Sequence, residues 1–210
     1  MENIICITNR KLCNIDFLTR IEQIAMQKPR AIIVREKDLP EAEYEKLYIK
    51  VREICDKYEV PCLAHNYPNI AKKYEGTGLH LPLHVLREWG QALQKSSLQA
   101  QGQTSQDSSL QVWGQVQLGA SCHSVEDAIE AEKLGCTYII AGHIFETDCK
   151  KGLAGRGLEF LKAVVNSVSI PVYAIGGINA ENMQSVLECG VKGVCIMSGL
   201  MIDKSKNNNE

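Results

Sequence analysis

Short apolar runs alternate with longer amphipathic stretches along most of the 210-residue chain. The runs are four or five residues long, which suits strands buried on both faces, whereas the stretches between them repeat apolar residues every three or four positions, as helices do. One stretch places Tyr44, Leu47, Val51, Ile54 and Cys55 on a single helical face. The predicted strands are Ile4–Thr8, Ala31–Val34, Pro61–Ala64, Gly78–Leu81, Gln115–Leu118 or a residue later, Thr137–Ile140, Pro171–Ile175 and Gly193–Met197.

The eight strand-like runs are separated by helices and lack a hairpin signal such as Asn-Gly, which predicts parallel strands joined by crossover helices. Eight such units close into a compact (β/α)8 TIM barrel. A doubly wound open sheet is the competing fold, but Thr8-Asn9-Arg10 stands where its glycine-rich dinucleotide turn would follow the first strand. The chain ends soon after the eighth run, so we expect the last barrel helix to be short or missing.

One segment interrupts this alternation. Gln94–Gln111 reads QKSSLQAQGQTSQDSSLQ, which is rich in serine and glutamine and poor in apolar residues. Such a segment cannot bury enough surface to offset the entropy of ordering it. We therefore predict one barrel domain over residues 1–202 with a mobile insertion at about residues 94–112, and a disordered tail over residues 203–210.

The composition favours an ordinary globular protein. Hydrophobic residues make up 45% of the chain, and 23 Lys and Arg against 25 Asp and Glu leave a formal net charge of −2, which gives no sign of nucleic-acid or membrane binding. No apolar run approaches the roughly 18 residues of a membrane helix, and the N-terminus lacks the regions of a signal peptide. The nine cysteines are scattered without a C-x-x-C pair, as in a reduced protein, so we expect a cytoplasmic location.

The longest predicted connection, Ala141–Gly157, reads AGHIFETDCKKGLAGRG. It far exceeds the usual length of about 4–6 residues, and connections of that kind are usually functional or disordered. Ile144, Phe145 and Leu153 give it side chains to pack with. We interpret it as a lid that brings lysines onto an anionic ligand. The alternative is a surface loop without a function.

Two other glycine-containing loops predict a phosphate site. TIM barrels carry their active sites at the carboxyl ends of the strands, and phosphate is often held by the loops after strands 7 and 8. Those loops begin here with Gly176-Gly177-Ile178 and Ser198-Gly199. Glycines allow backbone N–H groups to approach an anion closely. The alternative is that the glycines only end their strands tightly.

Two further strand ends carry candidate chemistry. Arg35 and Lys37 follow strand 2 on the same side, and two cations there suit a phosphate, diphosphate or carboxylate, or else form a solvated rim. His123 follows strand 5 at the mouth of the barrel, where a histidine can take and return a proton near neutral pH. A structural role for this histidine is the alternative.

Five stretches match a known family: Arg35-Glu36-Lys37, Cys122-His123-Ser124, the lid GHIFETDCKKG followed by RGLE, AIGGI, and IMSGL. On these residues the chain resembles the thiamine phosphate synthase/TenI superfamily of small (β/α)8 barrels. The matches cover essentially the whole chain outside the insertion and the tail.

The superfamily has two branches. The synthase joins a pyrimidine diphosphate to a thiazole phosphate and needs magnesium, held by acidic residues after strands 3 and 4. His65-Asn66 and Pro82-Leu83-His84 stand at those places here, and neutral groups do not offset a divalent cation and a diphosphate together. The lid wording GHI-F-ETD-x-KKG instead looks like the TenI branch, thiazole tautomerase, an isomerase that aromatises a carboxythiazole phosphate by moving one proton.

The resemblance to that branch therefore implies an isomerase of thiamine biosynthesis that needs no metal or redox cofactor. It implies a carboxylate contact at Arg35 or Lys37. It further implies His123 as the catalytic acid and base, a phosphate at Gly176, Gly177 and Ser198, and lid contacts at Thr147, Lys150 and Lys151. Two alternatives stay open: a magnesium-dependent thiamine phosphate synthase, and a non-catalytic barrel that binds a thiamine precursor. A homodimer is the expected assembly, because a missing last helix would expose apolar surface.

Overall fold

The computed structural model describes residues 1–90 and 117–203. Its eight parallel strands close into a barrel in sequence order, with β8 paired back to β1. The TIM-barrel prediction is thus confirmed. The predicted insertion at about residues 94–112 lies outside the described residues, as does the predicted tail from residue 204 onward. The strands are β1 (Ile4–Ile7), β2 (Ala31–Val34), β3 (Cys62–His65), β4 (Gly78–Pro82), β5 (Leu118–Cys122), β6 (Tyr138–Gly142), β7 (Val172–Ile175) and β8 (Gly193–Ile196).

The helices pack around the outside of the barrel. Local side chains fix several of their starts: Asp16 accepts a hydrogen bond from the Thr19 backbone N–H, and Ser124 accepts one from that of Asp127, as N-caps do. In the described ranges no helix is long and apolar enough to cross a membrane. The helices are α1 (Phe17–Ala25), α2 (Glu41–Lys57), α3 (Pro68–Lys73), α4 (residues 83–90), α5 (Val125–Lys133), α6 (Gly157–Ser167), α7 (Met183–Leu187) and α8 (Ser198–Met201).

Alternation along the strands divides the core into two layers. Outward-facing residues such as Cys6, Ile32 and Val34 pack under the helices. Inward-facing residues fill the barrel, where Tyr138 and Tyr173 meet edge to face at a ring-centroid distance of 6.0 Å. These side chains fill the barrel between its carboxyl end and a cavity of about 150 Å³ at its amino end. The inward set is Ile5, Ile7, Ala31, Ile33, Leu63, Tyr138, Ile140, Tyr173 and Cys195.

The predicted position of the fifth strand is wrong. β5 spans Leu118–Cys122 and pairs with β4 from Leu118 to Ser121, whereas residues 115 and 116 lie outside the described part of the chain. Its sequence, LGASC, lacks the bulky apolar run that indicates a strand. Small residues are required because a Cβ on Gly119 would lie 2.0 Å from the ring of Tyr138. As a result, His123 directly follows the strand.

Candidate functional site

A cavity of about 360 Å³ opens at the carboxyl ends of the strands. Apolar side chains such as Ile7, Ile140, Ile175 and Cys195 form part of its lining, and polar and cationic groups form the rest. Its lining includes all but one of the predicted site residues: Arg35, Lys37, His123, Thr147, Lys150, Gly176, Gly177 and Ser198. Lys151 lines a neighbouring cavity of about 710 Å³ beside the lid. The structure thus brings these residues together, while their roles stay predictions.

The alternation that builds the core also builds the site. Arg35 continues the inward series of Ala31 and Ile33, and His65 follows Leu63 in the same way. On β5, Ser121 lines the cavity two residues before His123. β2, β3 and β5 therefore turn from apolar to polar where they leave the packed interior, which is where TIM barrels place their chemistry.

Glu36 faces away from the cavity and fixes the ends of β1 and β2. It is 2% exposed, accepts a 2.7 Å hydrogen bond from Thr8 Oγ1, and accepts from the backbone and guanidinium of Arg10 at 3.0 Å. Thr8 Oγ1 in turn accepts a 2.9 Å bond from the Arg35 backbone N–H. Because each partner holds the next, this network positions Arg35 at the cavity wall.

Three cations meet on one wall of the cavity. Burial lowers the pKa of Arg35, while burial first and then Arg35 and Lys150 lower the pKa of Lys37. Arg35 also reaches the end of β8, with its Nη1 atom 4.0 Å from Met197 Sδ. In the described part of the chain, Arg35, Lys37 and Lys150 form no salt bridge with a carboxylate. This wall carries uncompensated positive charge.

Two buried histidines on the adjoining wall stay neutral. His65 and His80 are paired in register on β3 and β4, with ring centroids 6.0 Å apart. Nδ1 of His80 lies 3.1 Å from the Tyr138 hydroxyl and Nε2 lies 2.9 Å from Ser121 Oγ. Burial first, and then the charge of Arg35, lowers the pKa of His80 to about 3; burial, His80 and Arg35 lower that of His65 to about 2. Sequence reasoning missed their cavity position, which alternation along β3 and β4 could have shown.

His123 is held in one orientation. Its Nδ1 atom lies 2.7 Å from the Gly142 carbonyl oxygen, which can only accept, so Nδ1 carries the hydrogen. Its backbone N–H donates to Asp127 Oδ2 at 2.8 Å, which ties the residue to the start of α5. In the neutral ring Nε2 is then the unprotonated nitrogen, and it can accept a hydrogen bond from a ligand.

The lid, residues 143–156, is anchored to the end of β7. The backbone N–H groups of Ile144 and Phe145 donate to Ile175 and Gly176 carbonyls at 2.9 and 3.0 Å. Gly176 and Gly177 have φ values of +106° and +64°, and a Cβ on Gly176 would lie 2.3 Å from that of His143. These glycines are therefore required for the lid to pass so closely, a structural need in addition to the predicted phosphate contact.

His143 is a lid residue for which the sequence leaves open a ligand contact or packing against Phe145. It lines the cavity and is 6% exposed. Its Nε2 atom lies 3.2 Å from the Leu153 carbonyl and therefore carries the hydrogen, which leaves Nδ1 as an acceptor. Nδ1 has no partner within the described residues.

The residues around the cavity do not fit a magnesium ion. Mg²⁺ prefers carboxylate and water oxygens, yet the described lining contains no Asp or Glu. His65 and Pro82 stand where the resemblance implies acidic ligands after β3 and β4, and three cations share the cavity with them. No group of three or more potential metal ligands occurs within the described residues.

A closed barrel with cations and glycine loops around one cavity is typical of TIM-barrel enzymes that handle phosphorylated substrates. The chain belongs to the TMP-TENI family, described as thiamine monophosphate synthase, whose profile matches residues 4–91 and 100–200. The thiamine-phosphate synthase of Fusobacterium nucleatum subsp. nucleatum is 34% identical over 204 residues, covering 94% of this chain and 88% of that protein. That of Clostridium acetobutylicum is 32% identical over 201 residues, covering 93% and 85%. A thiamine phosphate pyrophosphorylase structure from Pyrococcus furiosus superposes with a TM-score of 0.71 at 28% identity, covering 95% and 87%.

These relatives confirm the superfamily and its link to thiamine biosynthesis, but they show that the expected thiazole tautomerase is wrong. They are named as synthases, which are transferases and not isomerases. The expectation took the missing acidic residues to mean that no magnesium ion could be held to offset the charge of a diphosphate. It did not count the three cations that the barrel brings together at Arg35, Lys37 and Lys150.

Proposed function

We propose that this protein is a transferase that couples a pyrimidine diphosphate to a thiazole phosphate, the thiamine-phosphate synthase reaction. The observation that carries the proposal is the similarity to proteins of that name along 94% of the chain. The cavity supports it, because it presents anion-binding groups on two walls and apolar side chains between them.

The coupling needs charge stabilisation more than proton transfer. The bond between the side-chain carbon of the pyrimidine and the diphosphate oxygen breaks, and its electron pair leaves with the diphosphate. The lone pair of the thiazole nitrogen forms the new carbon–nitrogen bond, so no proton or redox equivalent is exchanged. Groups that stabilise the departing anion therefore lower the barrier most.

The substrates are assigned to the walls by charge. The thiazole phosphate is assigned to the backbone N–H groups around Gly176, Gly177 and Ser198, because the loops after strands 7 and 8 of TIM barrels often hold phosphate. The diphosphate is placed on Arg35 and Lys37, with the two rings over the apolar lining. Thr147 and the lid lysines close over the anions.

His123 is proposed to contact the reacting rings through Nε2. A neutral imidazole can accept a hydrogen bond from a ring amine and lies beside a developing positive charge without repelling it. His123→Gln, which keeps an acceptor, should retain more activity than His123→Ala. No cofactor is assigned to these steps. The homodimer and the cytoplasmic location remain predictions.

The test is a coupling assay with the purified protein, both substrates, and either magnesium or EDTA. We expect thiamine phosphate and one equivalent of diphosphate. Lys37→Gln should slow turnover, whereas Lys28→Gln is the matched control, because Lys28 precedes β2 at the opposite end of the barrel and pairs with Glu59. Absence of thiamine phosphate under both conditions would overturn the proposal.

A further inference from the structure

We infer that Arg35, Lys37 and Lys150 hold the diphosphate in place of a divalent metal, so that anion binding by this protein is independent of magnesium. This inference rests on the proposed function for the identity of the ligand. The three residues, named here the cation wall, come from the end of β2 and from the lid. Lys150 lines both cavities, so the cation wall lies where they meet.

The cation wall differs from the paired cations of the protein. Several cations elsewhere are neutralised, for example Lys57 by Glu22 at 2.6 Å and Arg87 by Glu130 at 2.6 Å. No carboxylate of the described residues does the same for the cation wall. Like charges held together at a half-buried site repel one another, and a bound polyanion would remove that repulsion.

The carboxylates nearest in sequence to Arg35 and Lys37 are already engaged, and Glu146 of the lid lines the neighbouring cavity instead. Glu36 is buried in its network with Thr8 and Arg10, and Asp38 receives 2.7 Å hydrogen bonds from both terminal nitrogens of Arg10. Neither lines the cavity. Neither Glu36 nor Asp38 could bind a metal ion in the cavity without leaving this network, which would leave their hydrogen-bond partners unpaired.

The neutral histidines also disfavour a metal ion at this place. His65 stands at the end of β3, where the resemblance implies an acidic metal ligand, and His80 beside it on β4 already uses both ring nitrogens within the protein. A magnesium ion at this place would meet neutral nitrogen groups on one side and the cation wall on the other, both unfavourable for a hard dication. A diphosphate meets charge-assisted donors that suit its oxygens.

The experiment is isothermal titration of the full-length protein with inorganic diphosphate, first in EDTA and then in magnesium. We expect binding in EDTA, and weaker apparent binding in magnesium because the ion sequesters free diphosphate. Lys37→Gln and Lys150→Gln should each weaken binding about tenfold, and the affinity should fall as salt rises. Lys28→Gln should bind like the wild type, and Lys37→Arg should restore most of the loss. Circular dichroism checks that each variant is folded.

Two results would overturn the inference: diphosphate binding that requires magnesium, or Lys37→Gln and Lys150→Gln proteins that bind as tightly as the Lys28→Gln control. The outcome is separable from that of the proposed function. Binding in EDTA without any thiamine phosphate formation would retain the cation wall and reject the synthase. Thiamine phosphate formation together with diphosphate binding that requires magnesium would retain the synthase and reject the metal-independent site.

Discussion

Acid should destabilise this protein through its two buried histidines. His65 and His80 have folded-state pKa values of about 2 and about 3, against about 6.5 for a histidine in an unfolded chain. Between these limits the unfolded state binds more protons than the folded state. The stability from the neutral histidines is therefore fully present above about pH 6.5 and is lost as the pH falls toward the folded values.

The size of the effect follows from the same values. Acidification from pH 7 to pH 5 charges each histidine only in the unfolded chain, which costs roughly 2 kcal/mol per histidine and about 4 kcal/mol for the pair. Carboxylates contribute little in this window, because their ordinary pKa values of about 4 lie below it. A loss of that size is a large part of the 5–15 kcal/mol that is typical of domains.

The assay is urea unfolding of the wild type and single variants at pH 7 and pH 5, followed by circular dichroism. His80→Gln should be less stable than the wild type at pH 7 and should lose only about half as much stability on acidification. His84→Gln is the control, because His84 is exposed, and should show the full wild-type loss. A wild-type loss below about 1 kcal/mol, or an equal loss in the His80→Gln protein, would refute the reasoning.

Three other predictions follow from contacts in the barrel. Glu36→Ala should lower the free energy of unfolding by about 3–5 kcal/mol in urea titrations, since it leaves Thr8 and Arg10 groups unpaired; a loss under about 1 kcal/mol would contradict the network. Gly119→Ala should cost about 1–3 kcal/mol in the same assay by displacing the ring of Tyr138, and a neutral effect would contradict that contact. Cys149 is the exposed cysteine, so iodoacetamide should label it first by mass spectrometry, and bound diphosphate should slow the labelling; faster labelling of a buried cysteine would contradict the packing.

The sequence indicated much of the site because the alternation of inward-facing and outward-facing side chains along a strand can be read from neighbouring residues. Arg35 and Lys37 lie on the cavity side of β2, and His123 lies at its mouth, as the strand ends predict. Gly176 and Ser198 follow β7 and β8 at the same rim. What these residues do is still a prediction, but their convergence follows from one rule, that parallel strands of a barrel end on one face.

Other parts of the site could not be deduced from residues that are close together in the sequence. The fifth strand was misplaced because its small residues are selected by Tyr138, which lies about twenty positions away in the chain. Lys150 approaches Lys37 only because the lid folds back over the barrel. The prediction of an isomerase was wrong for the same reason. It considered the acidic residues that are missing after β3 and β4, but not the positive charge that the lid adds to the cavity.

The sequence by itself indicated seven of the eight strands to within a residue or two, because each strand pattern depends on residues a few positions apart, and the number and order of these units predicted the barrel. Only the tertiary structure decided the neutral state of His65 and His80, the orientation of His123 and the assembly of the cation wall. Burial and Coulomb interactions depend on distance in space, and the groups that set them here are separated by up to about a hundred residues in the chain.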